Sequence, residues 1–222
     1  MKTKFLPFEI LYEDRDLIVI DKPAGLLTTH TRLFGRAARE SQPTAENMLN
    51  SYVRKGQLKS SKRVWLVHRL DRETSGVMLF SKNSRLAEAF RDDWNNLTQK
   101  TYLALVEGEM DSSGGEFRSY LRDDPKTMKV SSVPAGAGGK LAVTGWKRLS
   151  CSDGRTLVEV TLKSGRKNQI RVHFSEAGHP VAGDVKYGAA KAARLFLHSW
   201  KLSFRHPFGG RNFEFESKGT MW

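Results

Sequence analysis

The chain has 222 residues, 39% of them hydrophobic, enough for one large domain or two small ones with a core of ordinary size. Its 37 Lys and Arg against 24 Asp and Glu leave a formal net charge of +13, spread along the sequence rather than gathered in a tail, which suits a polyanionic partner such as RNA and also allows a merely basic, solvated surface. A single cysteine, Cys151, excludes an internal disulfide and a multi-cysteine zinc site; no apolar run nears the ~20 residues that span a bilayer, and no sustained apolar stretch follows the first residues, so no secretory signal or membrane partner is expected and the compartment expected is the cytoplasm.

In chain order, residues 9–12 and 17–21 are two strand-like runs around a charged turn, a hairpin closed off by Pro23 and Gly25. Residues 31–42 are polar, basic and without apolar period; they read as a surface loop whose Arg32, Arg36 and Arg39 could meet RNA phosphate or simply face solvent. Pro43-Thr44 can start a helix with Ala45, Met48, Leu49 and Tyr52 on one face. Residues 64–67 and 77–80 are apolar and flank a charged turn. Asn83 or Ser84 can cap a second helix, with Leu86, Ala87, Phe90, Trp94 and Leu97 as its core stripe.

From Thr101 onward the pattern turns to strands, over 102–107, 118–121, 141–149, 157–162, 195–202 and 212–216, with turns at 111–115 and 152–154 and a helix over 168–176 ended by Gly178 and Pro180. Many strands and few helices, in no strict alternation, argue for an α+β fold on a mostly antiparallel sheet, with no linker or repeat that would divide it; one domain over 1–222 is expected. The stretch 134–140 (PAGAGGK) is not a phosphate-binding loop, because Pro134 and Leu141 stand where that loop needs glycine and Ser or Thr; it reads as a turn between strands. His68, His173, His179 and His198 are scattered, with no zinc-helix spacing, so no metal is expected. Cys151 is expected as a small apolar residue of core or loop, and Asp184 as a turn residue.

The most informative segment is His68-Arg69-Leu70-Asp71-Arg72-Glu73-Thr74-Ser75-Gly76, which places one carboxylate between two arginines on a turn held by two apolar strands. A carboxylate kept ionised in that way suits a nucleophile or an electrostatic stabiliser. Taken alone, a turn aspartate that bonds its own backbone and pairs with Arg72 is the simpler reading.

The segment resembles the motif of the RluA-type pseudouridine synthases, and the resemblance continues in order along nearly the whole chain. Leu11-Tyr12-Glu13-Asp14 and Ile18 to Leu26 look like the family's opening hairpin and Lys-Pro-x-Gly-Leu turn; Lys100-Thr101-Tyr102 looks like its Lys-x-Tyr strand; Gly165 to His173 resembles its Gly-Arg-x-x-Gln-Ile-Arg-Val-His segment. Gly178-His179-Pro180, Gly183-Asp184, Tyr187-Gly188 and Leu197-His198-Ser199 follow at the family's spacing. The chain departs from the family at Lys167-Asn168, where Thr or Ser and then His is usual; Asn still offers a donor and an acceptor. It also resembles the catalytic domain alone, without the small RNA-binding module that many relatives carry in front of it.

The resemblance implies a mixed sheet with flanking helices and a central active-site cleft, and an isomerase that converts uridine to pseudouridine in structured RNA, ribosomal or transfer, as a monomer and without metal, redox or nucleotide cofactor. It implies Asp71 as the nucleophile, Tyr102 as a stacking and proton-removing aromatic, and Arg166 as the basic residue that orients the carboxylate. Arg69 is implied in holding the space or phosphates of an extruded nucleotide, Ile170 as an apolar wall under the base, and Arg72, Thr74 and Asn168 as further substrate-binding positions. Two other readings stay open. One is a catalytically inactive RNA-binding protein on the same fold. The other is a nucleoside or glycoside hydrolase, which would ordinarily want a second catalytic carboxylate.

Overall fold

The computed structural model describes residues 6–30, 42–55, 57 and 59–218. Residues 31–41, with Arg32, Arg36 and Arg39 of the expected basic loop, lie outside the described residues. The chain's contacts divide it into two compact units, one formed by the residues up to Leu97 together with the segment from Leu202, the other by Thr98–Lys201.

In the first unit, strands β1 (Glu9–Glu13) and β2 (Leu17–Lys22) form the expected antiparallel hairpin. Asp14 makes its turn: Oδ1 accepts the N–H groups of Asp16 (2.8 Å) and Leu17 (2.7 Å), while Oδ2 accepts the Tyr12 hydroxyl (2.8 Å). Beyond helix α1 (Ala45–Val53) and the short β3 (Trp65–Leu66), β4 (Ser75–Ser81) pairs antiparallel with β2, Leu17 opposite Ser81 and Lys22 opposite Gly76. β2 and β4 are buried on both faces. Leu17, Val19, Val77 and Leu79 pack with Leu86, Ala87 and Phe90 of helix α2 (Ser84–Asp92), and Ile18, Ile20, Met78 and Phe80 are fully buried on the alternate positions.

Both helix caps lie where the sequence puts them. Thr44 accepts the Asn47 N–H (3.1 Å) and Asn83 the Leu86 N–H (3.2 Å). Two details differ. Tyr52 is exposed, its hydroxyl donating to Glu13, and Val53 completes the buried stripe of α1 four residues after Leu49. The stripe from Leu86 to Leu97 is not one helix: α2 stops at Asp92, and Trp94–Leu97 forms a separate turn, α3.

The second unit is dominated by antiparallel strands β5 (Thr98–Glu107), β6 (Gly114–Asp123), β7 (Val130–Val133), β8 (Lys140–Ser152) and β9 (Arg155–Leu162), in the order β5-β9-β8-β6-β7. Asp153 and Gly154, both at positive φ (54° and 67°), make the two-residue hairpin loop between β8 and β9. Residues 134–139 form the turn between β7 and β8, as the sequence predicts. Helix α4 (Gln169–Glu176) lays Val172 against Leu121, Val130 and Ala142, and Phe174 against Phe117 (ring centroids 5.1 Å apart). The strand β10 (Leu197–Arg205) passes from the second unit to the first at Leu202, and β11 (Asn212–Glu216) pairs with it.

The α+β class and the antiparallel character of the sheet are as expected. Cys151 is neither core nor loop but exposed on β8. Among the described residues no helix is long and apolar enough to cross a membrane.

Candidate active site

The candidate residues fall into two groups, one in each unit. In the first, the turn between β3 and β4 carries Arg69, Asp71, Arg72 and Thr74 and is fastened on both sides of the aspartate. On one side, Leu70 is buried, and its carbonyl accepts the Thr28 hydroxyl (2.9 Å) while its N–H donates to the same oxygen (3.3 Å). On the other, the Arg72 carbonyl accepts the Gly25 N–H (2.9 Å) and the ammonium of Lys22 (3.1 Å). Lys22 is completely buried and also donates to the carbonyls of Pro23 and Leu26, both at 2.8 Å. A buried ammonium is tolerated only when its donors find such acceptors.

Thr74 is buried and closes the turn, its N–H donating to the Asp71 carbonyl (3.2 Å). His68 accepts the Leu79 N–H on Nε2 (3.0 Å) and stacks on Trp94 with ring centroids 4.5 Å apart. Asp71 is thus half-buried at the apex of a loop whose backbone has little freedom. The Arg72 guanidinium is directed to the Gly25 carbonyl (3.0 Å) and to Glu73 (3.5 Å), so this arginine braces the loop. Arg69 is exposed and makes no ion pair among the described residues.

In the second unit, Tyr102 lies on β5 opposite Val160 and is nearly buried. Lys100, two residues before it on the same strand, is buried as well, and desolvation pushes its ammonium pKa down to about 8. Because the unfolded chain keeps that proton up to the ordinary lysine range, the fold binds fewer protons than the unfolded chain between the two values. The Lys100 contribution should therefore make stability rise as pH climbs from about 8 toward the unfolded lysine pKa of about 10.4. Urea titrations across that window should show the rise in the native protein and a flatter profile in Lys100→Met; identical slopes in both would remove Lys100 as the cause.

Arg166 sits in the connection between β9 and α4. Its Nε donates to the Leu141 carbonyl (3.0 Å), and its side chain is otherwise exposed. Lys167 pairs with Asp123 (2.7 Å) at the surface. Asn168 stands at the N-cap of α4 in the left-handed conformation (φ 53°), which asparagine tolerates better than most residues; its amide donates to the Tyr187 hydroxyl (3.0 Å). The donor that asparagine offers at this position is used in that bond. Ile170 is buried in the first turn of α4.

Sequence reasoning missed three features. Lys22 and Thr28 fasten the aspartate loop: Lys22 reads as a member of the N-terminal turn, and Thr28 carries no signal in the sequence. Asp184 is not a mere turn residue: its buried carboxylate makes a two-pronged ion pair with Arg171, Nε to Oδ2 at 2.6 Å and Nη2 to Oδ1 at 2.7 Å. The signal available for it was the arginine among the apolar residues of α4. Gly183, just before it, has φ +80°, and a Cβ there would collide with the Arg194 carbonyl.

The α+β fold, with a carboxylate on a doubly fastened turn and a basic turn opening a helix, is compatible with an enzyme that acts on RNA, and comparison with known proteins gives the class. Residues 16–176 match the model of the RNA pseudouridylate synthase family. The chain is 31% identical, over 96% of its length and 69% of the other, to the ribosomal large subunit pseudouridine synthase D of Zymomonas mobilis. It is 35% identical, over 96% of its length and 58% of the other, to the protein of the same name from Neisseria meningitidis serogroup A. Among solved structures, human RNA pseudouridylate synthase domain containing 4 superposes with a TM-score of 0.75 over 94% of this chain and 87% of its own, at 24% identity.

The chain belongs to the RNA pseudouridylate synthase family and is by that membership an isomerase of uridine in RNA. It spans 69% and 58% of the lengths of these two relatives.

Proposed function

We propose that the chain, acting over residues 1–222 as one catalytic domain, converts specific uridines of ribosomal or transfer RNA to pseudouridine with Asp71 as its nucleophile. The reaction breaks the bond between N1 and the ribose and rejoins the base through C5, so no atom or electron is exchanged with a co-reactant. It needs a carboxylate that is anionic at neutral pH and held in place. The half-buried Asp71, on a backbone fixed at Leu70 by Thr28 and at Arg72 by Lys22, is the observation that carries this reading.

Tyr102 takes the stacking role and the proton at C5. Arg166, held through Nε at the Leu141 carbonyl, takes the part of the basic residue. Ile170 forms the apolar wall under the base, while Arg72, Thr74 and Asn168 hold the loops that meet it. The target nucleotide has to leave its stack, and the exposed Arg69 fills the vacated space or holds the flanking phosphates. The protein acts as a monomer in the cytoplasm and is guided by the excess positive charge of its surface.

Mapping pseudouridine in cellular RNA with and without this protein tests the proposal: at least one ribosomal or transfer RNA position should lose the modification when the protein is absent. Free uracil released from RNA by the purified protein would point to hydrolysis instead. Arg69→Ala should lower turnover of structured RNA below saturation roughly tenfold, the scale of one lost stacking or phosphate contact, with an unchanged thermal midpoint. A normal rate would remove Arg69 from the binding surface.

A further inference from the structure

The turn that presents Arg166 is held by a hydrogen-bond chain that reaches the opposite end of α4. Gln169 is buried, and its amide has every hydrogen-bonding position filled. Oε1 accepts the Arg166 N–H (3.0 Å) and the Ser164 hydroxyl (2.8 Å); Nε2 donates to the Val143 carbonyl (3.0 Å) and to Thr144 Oγ1 (2.8 Å). The amide cannot be turned over, because a backbone N–H faces one end and a backbone carbonyl the other. From Thr144 Oγ1 the chain passes to His173 Nδ1 (2.8 Å), from His173 Nε2 to Ser119 Oγ (3.0 Å), from Ser119 to Ser132 (2.8 Å), and from the Ser132 hydroxyl to the exposed carboxylate of Glu176.

The two ends fix the direction of every proton between them. A carboxylate only accepts, so the Ser132 hydroxyl points at Glu176, the Ser119 hydroxyl at Ser132, and His173 donates from Nε2. At the other end Thr144 already accepts from Gln169, and its own proton goes to His173 Nδ1. With the ring neutral, its single proton is therefore on Nε2, and Nδ1 accepts from Thr144. Burial also pushes the His173 pKa below its ordinary value, against a smaller opposing pull from Glu176.

We propose that Gln169 and His173 are positioning residues for the isomerisation: with Thr144, Ser119, Ser132 and Glu176 they form a relay of fixed direction that locks the backbone carrying Arg166. The catalytic part rests on the role given above to Arg166; the relay itself does not. In Glu176→Gln the order should reverse. The Ser132 N–H donates to the other oxygen of Glu176 (2.9 Å), so the new amide must keep its oxygen there and turn its NH2 to the Ser132 hydroxyl. Ser132 then donates to Ser119, Ser119 to His173 Nε2, and the ring takes its proton on Nδ1. Thr144 loses its acceptor.

The test is a long-range proton–nitrogen NMR spectrum of the full chain labelled at histidine nitrogen, with His173 assigned by His173→Gln. The native protein should show the proton on Nε2, and Glu176→Gln should show it on Nδ1. With an in vitro substrate RNA, Glu176→Gln should lower kcat about two- to tenfold, the scale of one lost hydrogen bond, with KM unchanged. Gln169→Leu should lower kcat on the order of 100-fold, as small misplacements of a catalytic group do, with KM moved less than kcat. A native ring protonated on Nδ1, or a ring unchanged in Glu176→Gln, overturns the relay. Arg166→Ala turning over at the native rate overturns the catalytic part, whatever the ring shows.

Discussion

Asp71→Asn is expected to give a folded protein that still binds RNA and forms pseudouridine at least about 1,000-fold more slowly, the scale seen when an enzyme loses its nucleophile. The substitution keeps shape and volume and removes the charge. An amide nitrogen is not a nucleophile, because its lone pair is spread over the carbonyl. The contacts that hold the loop survive, because they are made by main-chain groups or by other residues: Thr28 to Leu70, Lys22 and Gly25 to Arg72, and the Thr74 N–H to the carbonyl of residue 71. Single-turnover measurement of pseudouridine in a bound RNA, together with a binding titration, separates the two effects. Native-like turnover would discard Asp71 as nucleophile, and loss of RNA binding would mean that the carboxylate's main task is to shape the loop.

Local physics made much of this fold legible. Thr44 and Asn83 cap the helices that follow them, β11 occupies the stretch 212–216 that the sequence marks, and the Asp153-Gly154 pair takes the loop conformation its residues favour. What escaped depends on partners distant in sequence. β7 contains two serines and no apolar alternation, and it becomes a strand by pairing with β6, Tyr120 opposite Val133 and Asp123 opposite Val130. β6 itself runs over Gly114–Asp123, well beyond the four residues that look like a strand, because β8 pairs with it from Lys147 down to Lys140.

The site follows the same rule. The motif around Asp71 marks the candidate segment by resemblance, but nothing in it shows that a lysine about fifty residues earlier anchors its backbone. Lys22 reads as a charge before a proline and is in fact buried, because the Pro23, Leu26 and Arg72 carbonyls meet at its ammonium. Gln169 and His173 likewise read as members of a motif, and only the strands beneath α4 show what they hold. The sequence marks the candidate residues and leaves unseen the groups that hold them still.

The largest loss of stability is expected at Asp184. Its side chain is 1% exposed and that of its partner Arg171 13%, and both oxygens of the carboxylate are engaged by the guanidinium. Asp184→Ala leaves that guanidinium buried without its counter-ion, which costs about 3–5 kcal/mol. Arg171→Met with Asp184→Leu removes both charges and should recover most of the loss, because the attraction between buried ions roughly offsets the cost of desolvating them.

Activity should not recover with it. Arg171 also donates to the Asn168 side chain (3.3 Å) and lies over the Tyr187 ring, 5.0 Å from its centroid. The same ring's hydroxyl accepts from Asn168 and from the Val130 N–H, each at 3.0 Å. The arginine therefore holds the left-handed residue through which the chain enters α4, two positions after Arg166, and an apolar pair can fill its space but cannot make those contacts. Urea denaturation of the single and double variants, set beside their turnover, tests both halves. A single variant that loses less than about 1 kcal/mol would mean that the ion pair is effectively solvated. A double variant as active as the native protein would mean that the pair serves stability alone.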